Sequence, residues 1–310
     1  MRAVVIEHHG ERGAVREIPN PVPGPHDVMV RVTAAGVNPI DWKRRDRADT
    51  RLPHVLGQDF AGIVSDVGDH VTKYRKGERV FGIAPQHGTY AEYTLLPEHD
   101  RAQPLAKIPD DVGDADSAAL PTAGITALGS IEALNVSKGT SLLVLGATGG
   151  VGGYAVQIAR DRGAKITGTA RSSNESLARS LGVDEFIAYD KEDAAERLRG
   201  GEIEAVLDLV DDSDGIKRIA GVIRSGGRIV STIGAADIDW FSTRKIAATN
   251  LYAADTPQWS HAGLRALLEL VEQGAIRVMI AGERPLAEAL DALEESKSGS
   301  VDGKLVIMVD

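Results

Sequence analysis

Five glycines within the eight residues 146–153 constrain this chain more than any other stretch, because of what flanks them. Ser141-Leu142-Leu143-Val144-Leu145 precedes them as a short apolar run, and 151–162 follows with apolar residues at helical spacing. A strand that enters a helix through so tight a turn needs residues without a Cβ. The new helix then presents unpaired N–H groups and the positive end of its dipole to an anion. The spacing Gly146-x-x-Gly149-x-x-Gly152 is one residue longer than G-x-G-x-x-G, but it stands in the strand-to-helix context of a dinucleotide-binding turn. No Gly-Lys-Ser/Thr follows, which disfavours a triphosphate cradle. Gly146, Thr148, Gly149, Gly150, Val151 and Gly152 are therefore candidate cofactor-binding residues.

The same rhythm continues downstream. Strands are predicted at 165–170, 185–189, 205–210 and 228–232, with helices at 174–181, 192–198 and 215–223 between them. Alternation of this kind predicts βαβ units stacked by right-handed crossovers into a doubly wound parallel sheet. A further strand is expected at 245–252, helices at 261–273 and 286–295, and a closing strand at 304–309. The second strand ends Thr169-Ala170-Arg171-Ser172-Ser173-Asn174, with no carboxylate where an NAD site supplies one to the ribose. Arg171 offers a guanidinium fork suited to a 2′-phosphate, with Ser172 and Asn174 as further donors, so NADPH is the expected cofactor. The alternative is a solvated arginine before a capping serine or asparagine.

Upstream of Pro121 the pattern differs. Short β-branched runs such as Val28-Met29-Val30-Arg31-Val32 and Arg79-Val80-Phe81-Gly82 alternate with Pro and Gly and read as an all-β module. A strand-rich start and a mixed tail around an α/β centre predict a discontinuous first domain. The 310-residue length accommodates two domains. The net charge of −10, with no basic run longer than Lys43-Arg44-Arg45, argues against a nucleic-acid or anionic-membrane surface. The absence of cysteine removes disulfides, thiolate catalysis and cysteine-ligated zinc from consideration. No apolar run approaches a membrane span and the first residues lack a secretory pattern, so a cytoplasmic location is the expectation.

Several separated stretches together resemble the medium-chain dehydrogenase/reductase superfamily, in its zinc-free NADPH:quinone oxidoreductase (zeta-crystallin-like) branch. Ala35-Gly36-Val37-Asn38-Pro39-Ile40-Asp41 is similar to the family's G-x-N-x-x-D signature. Leu56-Gly57-Gln58-Asp59-Phe60-Ala61-Gly62-Ile63-Val64 with Val67-Gly68 is similar to G-x-D-x-A-G-x-V-x-x-V-G. Leu120-Pro121-Thr122-Ala123-Gly124-Ile125-Thr126-Ala127 resembles its hinge, Gly88-Thr89-Tyr90-Ala91-Glu92-Tyr93 a family strand, and Asp302-Gly303-Lys304-Leu305-Val306 its closing strand. The resemblance implies a GroES-like β-barrel catalytic domain over 1–122, completed by 255–310. It further implies a Rossmann NADP-binding domain over 123–254, an active cleft between the two, and a homodimer paired through the edge strand near 247–252.

Where zinc-dependent relatives carry Cys and His ligands, this chain has Asn38 and Gln58, neither a usual zinc ligand. No metal site is expected. Acceptor activation must then come from hydrogen bonds and positioning over the nicotinamide. A quinone or conjugated enone, which delocalises the incoming charge, is the implied small-molecule substrate. Within that resemblance Asn38 is the candidate to orient acceptor or nicotinamide, Asp41 to fix its loop, Trp42 to stack on a flat acceptor, and Thr126 to contact the nicotinamide. Tyr189 is the candidate to flank the adenine and Ile233 to border the nicotinamide ribose. The alternatives are a turn role for Asn38, a cap for Asp41 and core packing for Trp42. An enoyl or 2-alkenal reductase, with Asp41 and Lys43 assisting protonation, is the rival activity, and a non-catalytic NADPH-binding protein the rival of another class. A short-chain dehydrogenase would need Tyr-x-x-x-Lys, which none of the six tyrosines provides.

Overall fold

Alternating apolar residues dictate long strands in the first third of the chain, and β-branched continuity dictates fully buried ones in the middle. The computed structural model describes residues 1–86, 88–99 and 102–309. In chain order the strands are β1 (Arg2–Ile6), β2 (Ala14–Glu17), β3 (Asp27–Gly36), β4 (His54–Val55), β5 (Asp59–Val67), β6 (Arg79–Ile83), β7 (Tyr93–Pro97) and β8 (Leu105–Lys107). They continue with β9 (Ser141–Leu145), β10 (Lys165–Ala170), β11 (Glu185–Ala188), β12 (Ile203–Asp208), β13 (Ile223–Ser231), β14 (Ala247–Asn250), β15 (Ile280–Pro285) and β16 (Lys304–Met308). The chain divides into two units. One takes Met1–Ala123, Trp259–Glu269 and Val278–Asp310, and the other takes Gly124–Gln258 and Leu270–Arg277. The segment Leu270–Arg277 thus groups with the central unit, where Gln157 exchanges hydrogen bonds with the backbone of Arg277 at 2.9 and 3.2 Å.

In the first unit β2-β1-β4 form a small sheet, and β15-β16-β3-β5-β6-β8 a larger one to which β7 adds by pairing with β3. β3 alternates buried and less buried positions over much of its length, so Val28, Val30 and Val32 enter the core. There they join Phe60, Val64, Leu96, Leu305 and Ile307, and the helix Ala289–Lys297 adds Ala292 and Leu293. The C-terminal strand pairs antiparallel with β3, Val306 opposite Gly36. Two helices interrupt what the linear pattern presents as an all-β module. These are α1 (Pro39–Asp46) and α2 (Asp114–Ala119). Pro39 opens α1 with a φ already suited to a helix, and the Asp41 carboxylate accepts the Asn38 N–H at 2.8 Å. β7 starts at Tyr93, after Ala91 has formed a single bridge to Ala3.

The second unit is a six-stranded, wholly parallel sheet in the order β11-β10-β9-β12-β13-β14. Strand order reverses beside β9, which pairs with both β10 and β12. Helix α3 (Pro121–Ala133) leads into this unit, and α4 (Gly150–Asp161) follows β9 directly. Leu143, Leu145, Val206 and Ile229 pack from the sheet against Ile216, Ile219 and Phe241. Each such fully buried side chain contributes roughly 1.5–3 kcal/mol. β13 begins at Ile223, where the helical expectation for 215–223 ends in a single 3-10 turn. No helix among the described residues is long and apolar enough to cross a membrane.

Candidate active site

In the second unit the glycine turn sits at the carboxyl end of β9, beside the point where strand order reverses. Ligands of open α/β sheets bind outside that edge. Gly146 has φ of +91°, a left-handed conformation, and its N–H donates to Thr169 Oγ1 at 3.1 Å. Gly149 is the N-cap of α4, so the N–H groups of Gly150, Val151 and Gly152 form the first turn without intrahelical acceptors. A Cβ on Gly152 would lie 2.0 Å from the Gly146 carbonyl oxygen, so the helix can start this close to the strand only with glycine there. Asn174 Nδ2 lies 3.4 Å from Thr148 Oγ1, and Arg171 Nε donates to the Tyr189 hydroxyl at 3.0 Å. The fold therefore brings Thr148 to Asn174 and Arg171 to Tyr189.

Beside them stands a carboxylate that the linear order conceals. Asp190 accepts both the Ser172 N–H and the Ser172 hydroxyl at 2.7 Å, and these bonds hold its carboxyl below the ordinary range. Ser172 thus has both donors engaged, while Arg171 is exposed to solvent. Tyr189, Val210 and Ile233, which follow β11, β12 and β13, are all large apolar residues left exposed along the same sheet edge. Val210 packs over Gly146, where a Cβ would meet Val210 Cγ1 at 2.8 Å. Its exposure, invisible in a strand-like run, is what singles it out. Under this edge Asp208 is buried, accepting from Ser231 Oγ at 2.7 Å and from the N–H groups of Val210 and Asp211. Thr126 is buried on α3 in this unit.

In the first unit Asn38 is 2% exposed and tied at both ends of its amide. Its Nδ2 donates to Asp59 Oδ2 at 2.8 Å, and its Oδ1 accepts from the Lys304 ammonium at 2.5 Å. Lys304 also donates to the Val37 carbonyl at 2.6 Å. Asp59 further accepts from the Thr122 N–H and hydroxyl at 2.9 and 2.5 Å, and Gln58 Nε2 donates to Thr122 Oγ1 at 2.7 Å. The two positions that resemble zinc-ligand positions thus belong to one buried network whose cation is an ammonium. Burial pushes the Asp59 carboxyl up and the Lys304 ammonium down, each opposed by the other's charge. In the linear order Lys304 and Asp59 appear only within motifs, because the side chains they meet lie far away in the chain. Among the described residues, no group of three or more His, Cys, Asp or Glu is gathered as a metal site.

Asp41, in the first turn of α1, accepts at Oδ2 from the Asn38 N–H at 2.8 Å and from the Tyr90 hydroxyl at 2.9 Å, while its buried Oδ1 has no partner among the described residues. Burial pushes the carboxyl up to about 7, with Asp59 adding to the shift and Lys304 opposing it. The native state therefore holds a proton that an unfolded carboxyl near 3.8 releases. Stability from this group is complete below 3.8 and is lost as pH rises through about 7. We expect Asp41→Asn to abolish a loss of up to roughly 4 kcal/mol between pH 4 and pH 8, as read by urea unfolding at both pH values. Parallel pH profiles for the two proteins would refute it. Trp42 packs against the barrel core, with Lys43 and Lys297 ammonium groups 5.6 and 5.5 Å from its ring centroid. Those contacts favour the packing role.

Comparison with known proteins gives consistent matches. Residues 24–110 match the alcohol dehydrogenase GroES-like domain, and residues 181–307 match a family described as zinc-binding dehydrogenase. Quinone oxidoreductase of Mus musculus is 30% identical, with 100% of this chain and 98% of that protein covered. The 2-methylene-furan-3-one reductase of Solanum lycopersicum is 31% identical, covering 90% of this chain and 71% of its own length. The crystal structure of Escherichia coli quinone oxidoreductase complexed with NADPH matches with a TM-score of 0.89 at 25% identity, covering 99% of this chain and 100% of that one.

Proposed function

This chain belongs to the zinc-free quinone oxidoreductase branch of the medium-chain dehydrogenase/reductase superfamily, and from that premise we propose that it transfers a hydride from NADPH to a quinone or similar conjugated carbonyl acceptor. The observation that carries this reading is the buried Asn38 amide between an ammonium and a carboxylate. A reduced nicotinamide, when bound, supplies the hydride. Of the two Asn38 amide hydrogens one is given to Asp59, which leaves the other for an acceptor oxygen. Lys304 on Oδ1 draws electron density from the amide and strengthens that remaining donor. The negative charge formed on the acceptor oxygen is stabilised there without a metal, and solvent supplies the proton that completes the hydroquinone. Asp41 keeps this donor in position by anchoring the Asn38 N–H. In this reading Thr126 borders the nicotinamide.

For the cofactor, the N–H groups of Gly150, Val151 and Gly152 suit a pyrophosphate. Tyr189 and Ile233 suit the adenine and the nicotinamide ribose, both being exposed at the same edge as the glycine turn. Arg171 is the 2′-phosphate partner, with Asn174 beside it. Its charge-assisted bonds are worth about 1.5–3 kcal/mol, so Arg171→Ala should raise the NADPH KM by roughly 10- to 100-fold and leave that for NADH nearly unchanged. An unaltered NADPH/NADH ratio would refute the assignment. Asp190→Asn, by removing a nearby negative charge, should tighten NADPH a few-fold, on the order of 1 kcal/mol or less. We further propose a homodimer paired along β14 and a cytoplasmic setting.

The main activity is tested by following NADPH oxidation with 1,4-quinones and with 2-enals. Faster turnover of quinones is expected. A preference for 2-enals would favour the alkene reductase reading, which the tomato relative supports by its similarity. NADPH binding without turnover on either would leave a nucleotide-binding protein.

A further inference from the structure

A cavity of about 800 Å³ opens in the first unit, within the usual size range of small-molecule pockets. Ile40, which separates Asn38 from Asp41 in the first turn of α1, forms part of its wall. The rest comes from the end of α1, the loop that follows it, His54 at the start of β4, and Pro85-Gln86. Leu52, Pro53 and Pro85 give this wall an apolar surface against which a flat ring can lie.

The charged residues in the wall are unusual for a chain of net charge −10. Arg47 is already neutralised, its guanidinium fork meeting Asp49 at 2.8 and 2.6 Å. Arg44 and Arg51 are not. Among the described residues, neither guanidinium has a carboxylate within ion-pair distance or donates a hydrogen bond. Arg44 is also half-buried, and loss of water holds its pKa below the ordinary value, with Arg47 adding to that effect and Asp41 opposing it. An arginine stays charged under these conditions, so an anion arriving beside it relieves an existing desolvation cost. His54 completes this corner. Burial first, and Arg44 second, push its imidazole down to about 4, so it is neutral at physiological pH. Its Nε2 is buried and has no hydrogen-bond partner. A neutral imidazole beside two unneutralised guanidinium groups provides a hydrogen-bonding edge without further charge.

We propose that this cavity is an acceptor subsite for an anionic substituent, so that the preferred acceptors are quinones or enones whose ring carries a carboxylate or sulfonate held by Arg44 and Arg51. The proposal rests on the hydride-transfer reading above for the identity of the ring, and on the cavity alone for the anion. Arg44 and Arg51 act as specificity-determining residues: they take no part in hydride or proton movement and favour one acceptor over another by charge.

The test compares 1,4-naphthoquinone-2-sulfonate with its neutral sulfonamide counterpart, using the full-length protein and NADPH. In parallel, calorimetry measures binding of the redox-inert pair naphthalene-2-sulfonate and naphthalene-2-sulfonamide. Both are repeated with Arg51→Gln and with the Arg44→Gln/Arg51→Gln double variant, whose folding is checked by thermal melting. The sulfonate should be favoured by roughly 10-fold or more in KM and in Kd, the scale of one charge-assisted contact. Most of that preference should vanish in the double variant, while the sulfonamide changes by less than about twofold. Equal handling of the two compounds by the unmodified protein, or an unchanged preference in the double variant, overturns the subsite. If the quinones are not reduced but the inert sulfonate still binds through Arg44 and Arg51, the subsite stands and the hydride-transfer reading falls. If both quinones are reduced without any charge preference, hydride transfer stands and the subsite falls.

Discussion

Replacing Lys304 by methionine is expected to lower the free energy of unfolding by about 3–5 kcal/mol near neutral pH, the usual consequence of removing one partner from a buried charge cluster. Lys304 is 4% exposed, and its ammonium supplies hydrogen bonds to the Val37 carbonyl and Asn38 Oδ1. Without it, two buried acceptors lose a donor, and the Asp59 and Asp41 carboxyls lose the cation that opposes their upward displacement. The defect should shrink in acid, because a protonated Asp59 no longer needs the ammonium. A second change, Asp59→Asn, removes the stranded charge and should restore a substantial part of the loss. Urea unfolding of the four proteins of that double-mutant cycle supplies the measurement. A loss below about 1 kcal/mol for Lys304→Met would mean that the cluster contributes no more than a surface pair.

Gly152→Val should be more damaging to cofactor binding than any single charge change. The added Cβ would meet the Gly146 oxygen at 2.0 Å and the Gly146 carbonyl carbon at 2.9 Å. These are backbone atoms that cannot rotate aside, so the start of α4 must draw away from the end of β9. Nicotinamide nucleotide affinity should fall by roughly 100-fold or more once the helix terminus is displaced, with a stability loss of about 1–3 kcal/mol. Gly149→Ala is the informative control. A Cβ there meets nothing closer than 3.7 Å, and φ is −71°, so the fold should tolerate alanine. A variant that keeps its melting temperature but binds NADPH poorly would locate the phosphates at Gly149. Calorimetric titration of each variant with NADPH gives both numbers, and unimpaired binding by Gly152→Val would contradict the proposed cradle.

The parts of this protein that are legible in one dimension are those governed by local periodicity. Ser141–Leu145, the glycine turn and α4 follow from adjacent residues alone, because a run buried on both faces, a left-handed turn and a helical stripe each leave their own spacing in the chain. The position of Arg171 directly after β10, the strand next to that turn, is legible for the same reason.

Other features depend on pairings that no window of the sequence contains. Asn38 and its surroundings are the clearest case. The antiparallel register that sets Val306 opposite Gly36 also carries Lys304 to Asn38, and the register of β3 with β5 sets Asp59 opposite Gly36. Parallel pairing of β10 with β11 brings Asp190 to Ser172, eighteen residues away in the chain. α1 is hidden in a strand-rich stretch because its stabilisation comes from a single proline, the Asp41 carboxylate and Tyr90 across the core. Residue order alone dictates the two architectures and the glycine turn that opens α4, since side-chain period and glycine content act locally. Which buried carboxylates have a cation, which donors remain uncommitted and where, among the described residues, two arginines stand without a carboxylate emerge only on folding, because they depend on distances across segments far apart in the chain.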